Sequence, residues 1–180
     1  MSRKDDNELV YEVIHGSISS FEVLIDRYQD TIFNILVRMV ADPETAKDLT
    51  QDVFVKAYEK MGGFNFNYRF FSWIYRIAVN EAINYNRKRP RTVSITEAMP
   101  LTDDNGGVRD ETTTKLLNHA IRTLPDEYRV LILLKYYCNL SYDEIAEVTT
   151  LPVKKVRSRL FMAREQMRKD LTEKGFFNND

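Results

Sequence analysis

Cysteine is almost absent from this sequence: Cys138 is the single one among 180 residues. No intrachain disulfide can form and no cysteine cluster can hold zinc, which fits a reducing compartment. The two histidines, His15 and His119, stand far apart, and neither belongs to an H-E-x-x-H pattern. No Gly-x-Ser-x-Gly elbow and no phosphate-binding glycine loop occurs. Six glycines and five prolines exclude collagen-like and low-complexity architectures. Apolar runs are short, as from Val130 to Leu134, and none approaches the roughly 18 to 20 residues that span a bilayer. Met1 to Asp6 leads into no signal-type apolar run. These absences point to a soluble, cytoplasmic protein with no membrane insertion of its own. They imply no metal, no cofactor and no catalytic residues. An enzyme on this chain would need an acid/base or metal site that its residues do not supply.

The apolar fraction of 43% is enough for a core. The net charge of -1 speaks against a nucleic-acid partner only as a total, because a total hides distribution. Residues 1–92 carry 13 basic and 13 acidic side chains; residues 93–112 carry one basic against five acidic; residues 113–180 carry 12 basic against nine acidic. The middle stretch contains Pro100, Gly106, Gly107 and no helical periodicity. It reads as a flexible acidic linker between a domain of residues 1–92 and a domain of residues 113–180.

Both domains read as helical, which makes the fold class all-α. Ser19 and Glu22 suggest a capping box, followed by Phe21, Leu24, Ile25 and Tyr28 and then Ile32, Ile35, Leu36 and Met39 at helical spacing. Asp42-Pro43 marks a new start, and Leu49, Val53, Ala57 and Met61 then fall on one face. Gly62-Gly63 ends that helix, a connector follows from Asn65 to Tyr68, and a further helix runs from Phe70 to Arg87 before Pro90. In the C-terminal part, starts are expected at Thr123 to Asp126, at the capping box Ser141 to Glu144, and at Pro152.

The last two starts carry the strongest functional signal. Only Thr149 to Leu151 separate the helix from Ser141 from the one at Pro152, the spacing of a helix-turn-helix. Ile145, Ala146, Leu151, Val156 and Leu160 fall on the inward face. The outward face carries Lys154, Lys155, Arg157, Arg159 and Arg164, and residues 152–169 hold seven basic residues against one acidic. Such a helix can enter the major groove, its arginines reading guanine edges and its lysines holding phosphates. A solvated amphipathic face is the plain alternative. Thr150 stands where such turns place glycine, so a strained or rearranged turn is expected there.

A second basic concentration runs from Arg76 to Arg91, five basic residues against Glu81. Just upstream lie Phe64, Phe66, Tyr68, Phe70, Phe71, Trp73 and Tyr75. Rings and cations interleaved in this way suit single-stranded nucleic acid, on which bases stack while cations follow the backbone. Phe70, Trp73 and Ile77 fit a core reading better, whereas Asn65, Asn67 and Tyr68 on the connector fit contact. Arg76, Asn80, Asn84 and Arg87 recur at steps of three and four and form one polar stripe.

Three segments in this order, Asp48–Tyr58, Phe71–Asn80 and Leu140–Ala146, resemble the extracytoplasmic-function group of bacterial sigma factors, in the sigma-70 family. The resemblance extends from about Leu9 to Leu171. It implies a promoter-specificity subunit that binds core RNA polymerase, through its beta-prime clamp and beta flap, and promoter DNA, duplex and single-stranded. It implies polymerase contacts at Asp48, Gln51, Asp52 and Phe54. Minus-ten recognition and melting map to Asn65, Phe66, Asn67, Tyr68, Arg76, Asn80, Asn84 and Arg87, where a flipped base costs a few kcal/mol that a pocket must offset. Minus-thirty-five recognition maps to Lys154, Lys155, Arg157, Ser158 and Arg159. An anti-sigma factor is a further implied partner. The rival is a two-domain helix-turn-helix regulator that acts without joining polymerase.

Overall fold

The computed structural model describes residues 4–88 and 111–176, with the side chains of Glu111 and Thr112 left aside. The described residues are helical, with no strand among them. The N-terminal half holds α1 (Asp6–Ile14), α2 (Ile18–Val40), α3 (Pro43–Lys60) and α4 (Phe70–Lys88), with a short 3-10 turn at Met61–Gly63. The C-terminal half holds α5 (Glu111–Thr123), α6 (Asp126–Tyr136), α7 (Tyr142–Thr149) and α8 (Val153–Glu173). Almost all of the expected acidic linker, with Arg89 and Arg91 of the second basic concentration, lies outside the described residues; α5 begins at Glu111.

Each start has a local cause. Asp42 caps α3 by accepting the Thr45 backbone N–H, and Pro43 opens the helix where its missing donor costs nothing. Ser141 caps α7 with the complete reciprocal box to Glu144. The N-cap of α2 is Ser17 rather than the expected Ser19. Gly16, at φ +97, turns the chain out of α1 two residues earlier, and the Ser17 hydroxyl accepts the Ser20 N–H. The Ser20 hydroxyl, buried, donates to Glu12 at 2.5 Å instead of facing solvent. The α1 capping box of Asp5 and Glu8 obeys the same rule. Pro152 is the N-cap of α8 rather than its expected first helical residue; that residue is Val153.

In the N-terminal half, α2, α3 and α4 pack mutually, with α1 against α2. Leu49, Val53, Ala57 and Met61 are all buried, so the expected α3 face is the core face. On α4 the fully buried residues are Phe70, Ser72, Ile74, Ala78 and Ala82, while Trp73 and Ile77 are half-buried at its edge. The C-terminal core is built on α6, whose Val130 to Leu134 run is buried throughout. The two halves share one continuous apolar core, because α6 packs on α2 and α7 packs on α4.

The seam between the halves is also polar. The buried Arg129 guanidinium on α6 donates to the Met39 carbonyl near the end of α2 at 3.0 Å, and to the Arg122 and Leu124 carbonyls at 2.8 and 3.0 Å. Asn86 donates to the same Met39 carbonyl at 3.2 Å and to Asp126 at 3.3 Å. Arg38 lies over the Tyr137 ring, 4.5 Å from its centroid. Closer to the start of α4, Arg69 pairs with Glu144 at 2.6 Å and Ser72 donates to Glu147 at 2.9 Å.

Candidate nucleic-acid and polymerase interfaces

The connector before α4 is rooted by one buried ring. Phe64 is buried and meets Phe66, Trp73 and Phe70 edge-on, at 5.2, 5.4 and 6.1 Å between centroids. Beyond it the chain turns on itself: the Asn65 side-chain oxygen accepts the Asn67 N–H, and the Asn65 carbonyl accepts the Tyr68 N–H, both at 3.0 Å. This local turn leaves Asn65, Phe66, Asn67 and Tyr68 all exposed. Burial of Phe64 therefore fixes a platform whose two outer rings face solvent.

The α4 stripe starts beneath that platform. The Arg76 guanidinium lies 6.0 Å from the Tyr68 ring centroid, within cation–π range. Asn80, Asn84 and Arg87 follow along the helix and are exposed, with Arg87 donating to Asn84 at 3.3 Å. Connector and stripe thus form one surface of aromatic rings, amides and guanidinium groups, suited to unpaired bases and their phosphates.

On α3, Asp48, Gln51 and Asp52 are exposed along one side. Phe54 is not: it is buried, edge-on to Phe21 at 6.4 Å. The reason is helical phase, since Phe54 follows the core residue Val53 and falls with it on the inner side. The Phe54 side chain is therefore not on the exposed side that carries Asp48, Gln51 and Asp52. The exposed apolar groups of this helix are Val55 and Tyr58, and Tyr58 lies against the Phe21 ring at 5.1 Å.

In the C-terminal half, α7 and α8 meet across Thr150 to Pro152. Ile145, Val148, Val156 and Leu160 are buried between them, with Ala146 and Leu151 half-buried. Thr150 adopts the left-handed conformation at φ 57 and ψ 25. The turn is therefore kept in its glycine geometry rather than rearranged, and its hydroxyl donates to the Thr149 carbonyl at 2.7 Å. A β-branched residue there is strained. Glycine in place of Thr150 is expected to raise stability by about 0.5–1 kcal/mol, the relieved strain exceeding the entropy glycine adds to the unfolded chain. Thermal unfolding monitored by circular dichroism checks the sign; a lower midpoint refutes it.

The outward face of α8 carries Lys154, Lys155, Arg157 and Ser158, all exposed. Arg157 projects over the Tyr142 ring at 5.5 Å, with Lys135 5.2 Å from the same ring. Arg159 is more enclosed and pairs with Glu127 of α6 at 3.0 Å, and Arg164 donates to the Tyr136 hydroxyl at 3.3 Å. The basic face therefore divides. Lys154, Lys155 and Arg157 point outward from α8, whereas Arg159 and Arg164 also tie α8 to α6.

Residues 24–92, containing the connector and the stripe, match the family described as Sigma-70 region 2, and residues 114–167, containing the helix-turn-helix, match Sigma-70, region 4. The chain is 32% identical to the RNA polymerase sigma-H factor of Pseudomonas aeruginosa, over 95% of this chain and 96% of that protein. This chain belongs to the sigma-70 family of RNA polymerase sigma factors. It is also 32% identical to the ECF RNA polymerase sigma factor SigW of Bacillus subtilis, over 91% of this chain and 95% of that one, which places the sigma factor in the extracytoplasmic-function group. The same fold occurs in the sigma factor RpoE of Bartonella quintana, solved in complex with the anti-sigma factor NepR, at a TM-score of 0.68 and 21% identity over 86% of this chain and 98% of that one. No helix among the described residues of the sigma factor is long and apolar enough to cross a membrane, and no group of His, Cys, Asp and Glu side chains among them is arranged to hold a metal ion.

Four polar residues of the sigma factor have roles that its sequence does not announce. Arg69, Ser72, Glu144 and Glu147 form the seam beside the connector, with partners 75 positions apart. Only Glu144 carries a local signal, as a helix cap, and that signal says nothing about Arg69.

Proposed function

We propose that this sigma factor is a non-catalytic, cytoplasmic subunit that places core RNA polymerase at promoters and helps to open them. The observation that carries the reading is the union of two surfaces on one chain. A ring-and-amide platform with a cationic stripe suits an unpaired strand, and a basic helix-turn-helix suits a duplex. A regulator that only binds duplex DNA has use for the second surface but not for the first.

The roles divide as follows. Asn65, Phe66, Asn67 and Tyr68 receive unstacked bases of the minus-ten element, while Arg76, Asn80, Asn84 and Arg87 follow the adjoining backbone and base edges. Lys154, Lys155, Arg157, Ser158 and Arg159 read the minus-thirty-five duplex from the major groove. Asp48, Gln51 and Asp52 contact the beta-prime clamp, with Phe54 holding their helix from within, and the C-terminal half meets the beta flap. An anti-sigma factor is a further expected partner; the Bartonella quintana protein of like fold is solved in complex with one.

In vitro transcription with core polymerase on genomic DNA, followed by start-site mapping, tests the reading and yields both promoter elements. Asp52→Lys reverses one charge on the exposed side of α3, so it is expected to lower polymerase affinity about tenfold with helical content unchanged. Undiminished affinity refutes the assignment of α3. Absence of any polymerase complex with the unaltered chain favours the rival regulator.

A further inference from the structure

We propose that α7 is an intramolecular stand-in for the phosphates of the minus-ten strand: its carboxylates Glu144 and Glu147 occupy Arg69 and Ser72 at the start of α4, and the strand must displace α7 to bind. The inference rests on the minus-ten reading of the connector and α4 proposed above.

Four observations carry it. Arg69 directly follows Tyr68, the last platform residue, and its guanidinium lies 5.8 Å from the Phe71 ring centroid. It is placed to hold the phosphate beside a stacked base, and an arginine fork fits phosphate and carboxylate alike. Ser72 sits in the first turn of α4, a helix of 19 residues, where unpaired N–H groups and the helix dipole favour an anion. The anion seated there is a carboxylate of this same chain, since the fully buried Ser72 hydroxyl donates to Glu147. Finally, the Arg69 side chain is 66% exposed and that of Glu144 24%. An ion pair this open to water holds weakly, and an incoming strand reaches Arg69 without unfolding anything.

Glu144 stays ionised in this role. Hydrogen bonding from the Ser141 backbone N–H, with further help from the Ser141 hydroxyl and Arg69, holds its carboxyl below the usual carboxylate range against partial desolvation. Glu144 thus serves both in the cap of α7 and in its charge contact with the start of α4. A strand that takes Arg69 leaves the cap intact, so α7 is released as a folded helix.

The chain carries its own reporter of release. Cys138, its one cysteine, lies on the turn between α6 and α7, close enough to Tyr75 and Arg38 of the other half to share electrostatic influence with them. Cys138 is half-buried, and burial pushes its thiol up to about 12, so alkylation is slow in the closed chain and quickens as the halves part and the thiol regains its ordinary acidity.

The test uses the full chain and its Glu144→Gln/Glu147→Gln variant; glutamine at 144 preserves the capping box. Binding to a fluorescein-labelled short single-stranded DNA of random sequence is measured by anisotropy, because phosphate contacts do not depend on sequence. Cys138 alkylation by iodoacetamide is followed in parallel. The variant is expected to bind about fivefold more tightly and to alkylate faster by a similar factor, as the loss of one exposed ion pair and one hydrogen bond implies. Adding Arg69→Ala should remove the gain in binding while alkylation stays fast. Asp143→Asn/Glu165→Gln removes the same charge from exposed positions of the C-terminal half and should leave both readouts near the parent values. Equal gains in that control, unchanged alkylation in the glutamine variant, or fast alkylation without tighter binding each overturn the proposal. Start-specific transcription by the reconstituted holoenzyme reports separately on the minus-ten reading. A chain that supports transcription while the glutamine variant alters neither rate nor affinity loses the α7 proposal alone.

Discussion

Alanine at both Arg157 and Arg159 is expected to weaken holoenzyme binding to upstream promoter duplex by about 2–6 kcal/mol, each arginine contributing about 1–3 kcal/mol. The two losses differ in kind. Arg157 is exposed, and its guanidinium is steadied over Tyr142 at 5.5 Å; its removal subtracts a DNA-binding group and little else. Arg159 spends part of its charge on Glu127 at 3.0 Å, so its removal also loosens α8 from α6, by less than about 1 kcal/mol for a pair this accessible. Footprinting separates the effects: upstream protection should fade while protection around the minus-ten element persists. Because these arginines read base edges, the loss should fall on the cognate upstream sequence and relax specificity there. Undiminished upstream footprints in the double variant would place the recognition surface elsewhere than on α8.

Arg129→Ala is expected to cost about 3–5 kcal/mol of folding stability. The guanidinium is buried and donates to three carbonyls, of Met39, Arg122 and Leu124. Hydrogen bonds from a charged donor contribute about 1.5–3 kcal/mol each, less in sum because they share one group. Alanine removes the charged donor from all three carbonyls and opens a cavity at the seam, with the Met39 carbonyl keeping only Asn86 of its two side-chain donors. Because Met39 belongs to the other half, the same change should loosen the halves from each other, seen as faster alkylation of Cys138 below the unfolding transition. Arg129→Lys retains a charge but not the fork, and should recover only part of the loss. Calorimetric stability equal to the parent protein in Arg129→Ala would refute the assigned role.

Local chemistry makes much of this fold readable in advance. The caps at Asp42 and Ser141, the α3 core face of Leu49, Val53, Ala57 and Met61, and the inward residues of the helix-turn-helix all follow from spacing and backbone valence. Where several residues compete for one local role, spacing alone is ambiguous. Three serines lie at Ser17, Ser19 and Ser20, and Ser17 becomes the cap because Gly16 turns the chain just before it. The helix α5 begins at Glu111, inside the stretch that reads as linker, where the acidic, threonine-rich sequence masks its onset. At Phe54 the family pattern and the helical phase point in opposite directions, and packing against Phe21 decides. The exposed connector and the α4 stripe are visible as composition, but their alignment through Tyr68 and Arg76 is a property of the folded chain. The seam is invisible in the sequence for a simple reason: Arg69, Glu144, Met39 and Arg129 meet across separations of 75 and 90 positions, and no short-range rule couples them.

The shared core of the two halves also sets a length. A compact chain of this size has a radius of gyration of about 16 Å, hence a span of about 40 Å. Promoter elements centred near minus thirty-five and minus ten are about 25 base pairs apart, about 85 Å along the duplex. One closed molecule therefore reaches one element at a time. The 22 residues from 89 to 110 provide at most about 75 Å of contour, which together with the breadth of the two halves covers that distance once the seam has parted. The chain in solution is accordingly a folded rule, and small-angle scattering should record its length increasing when it joins polymerase.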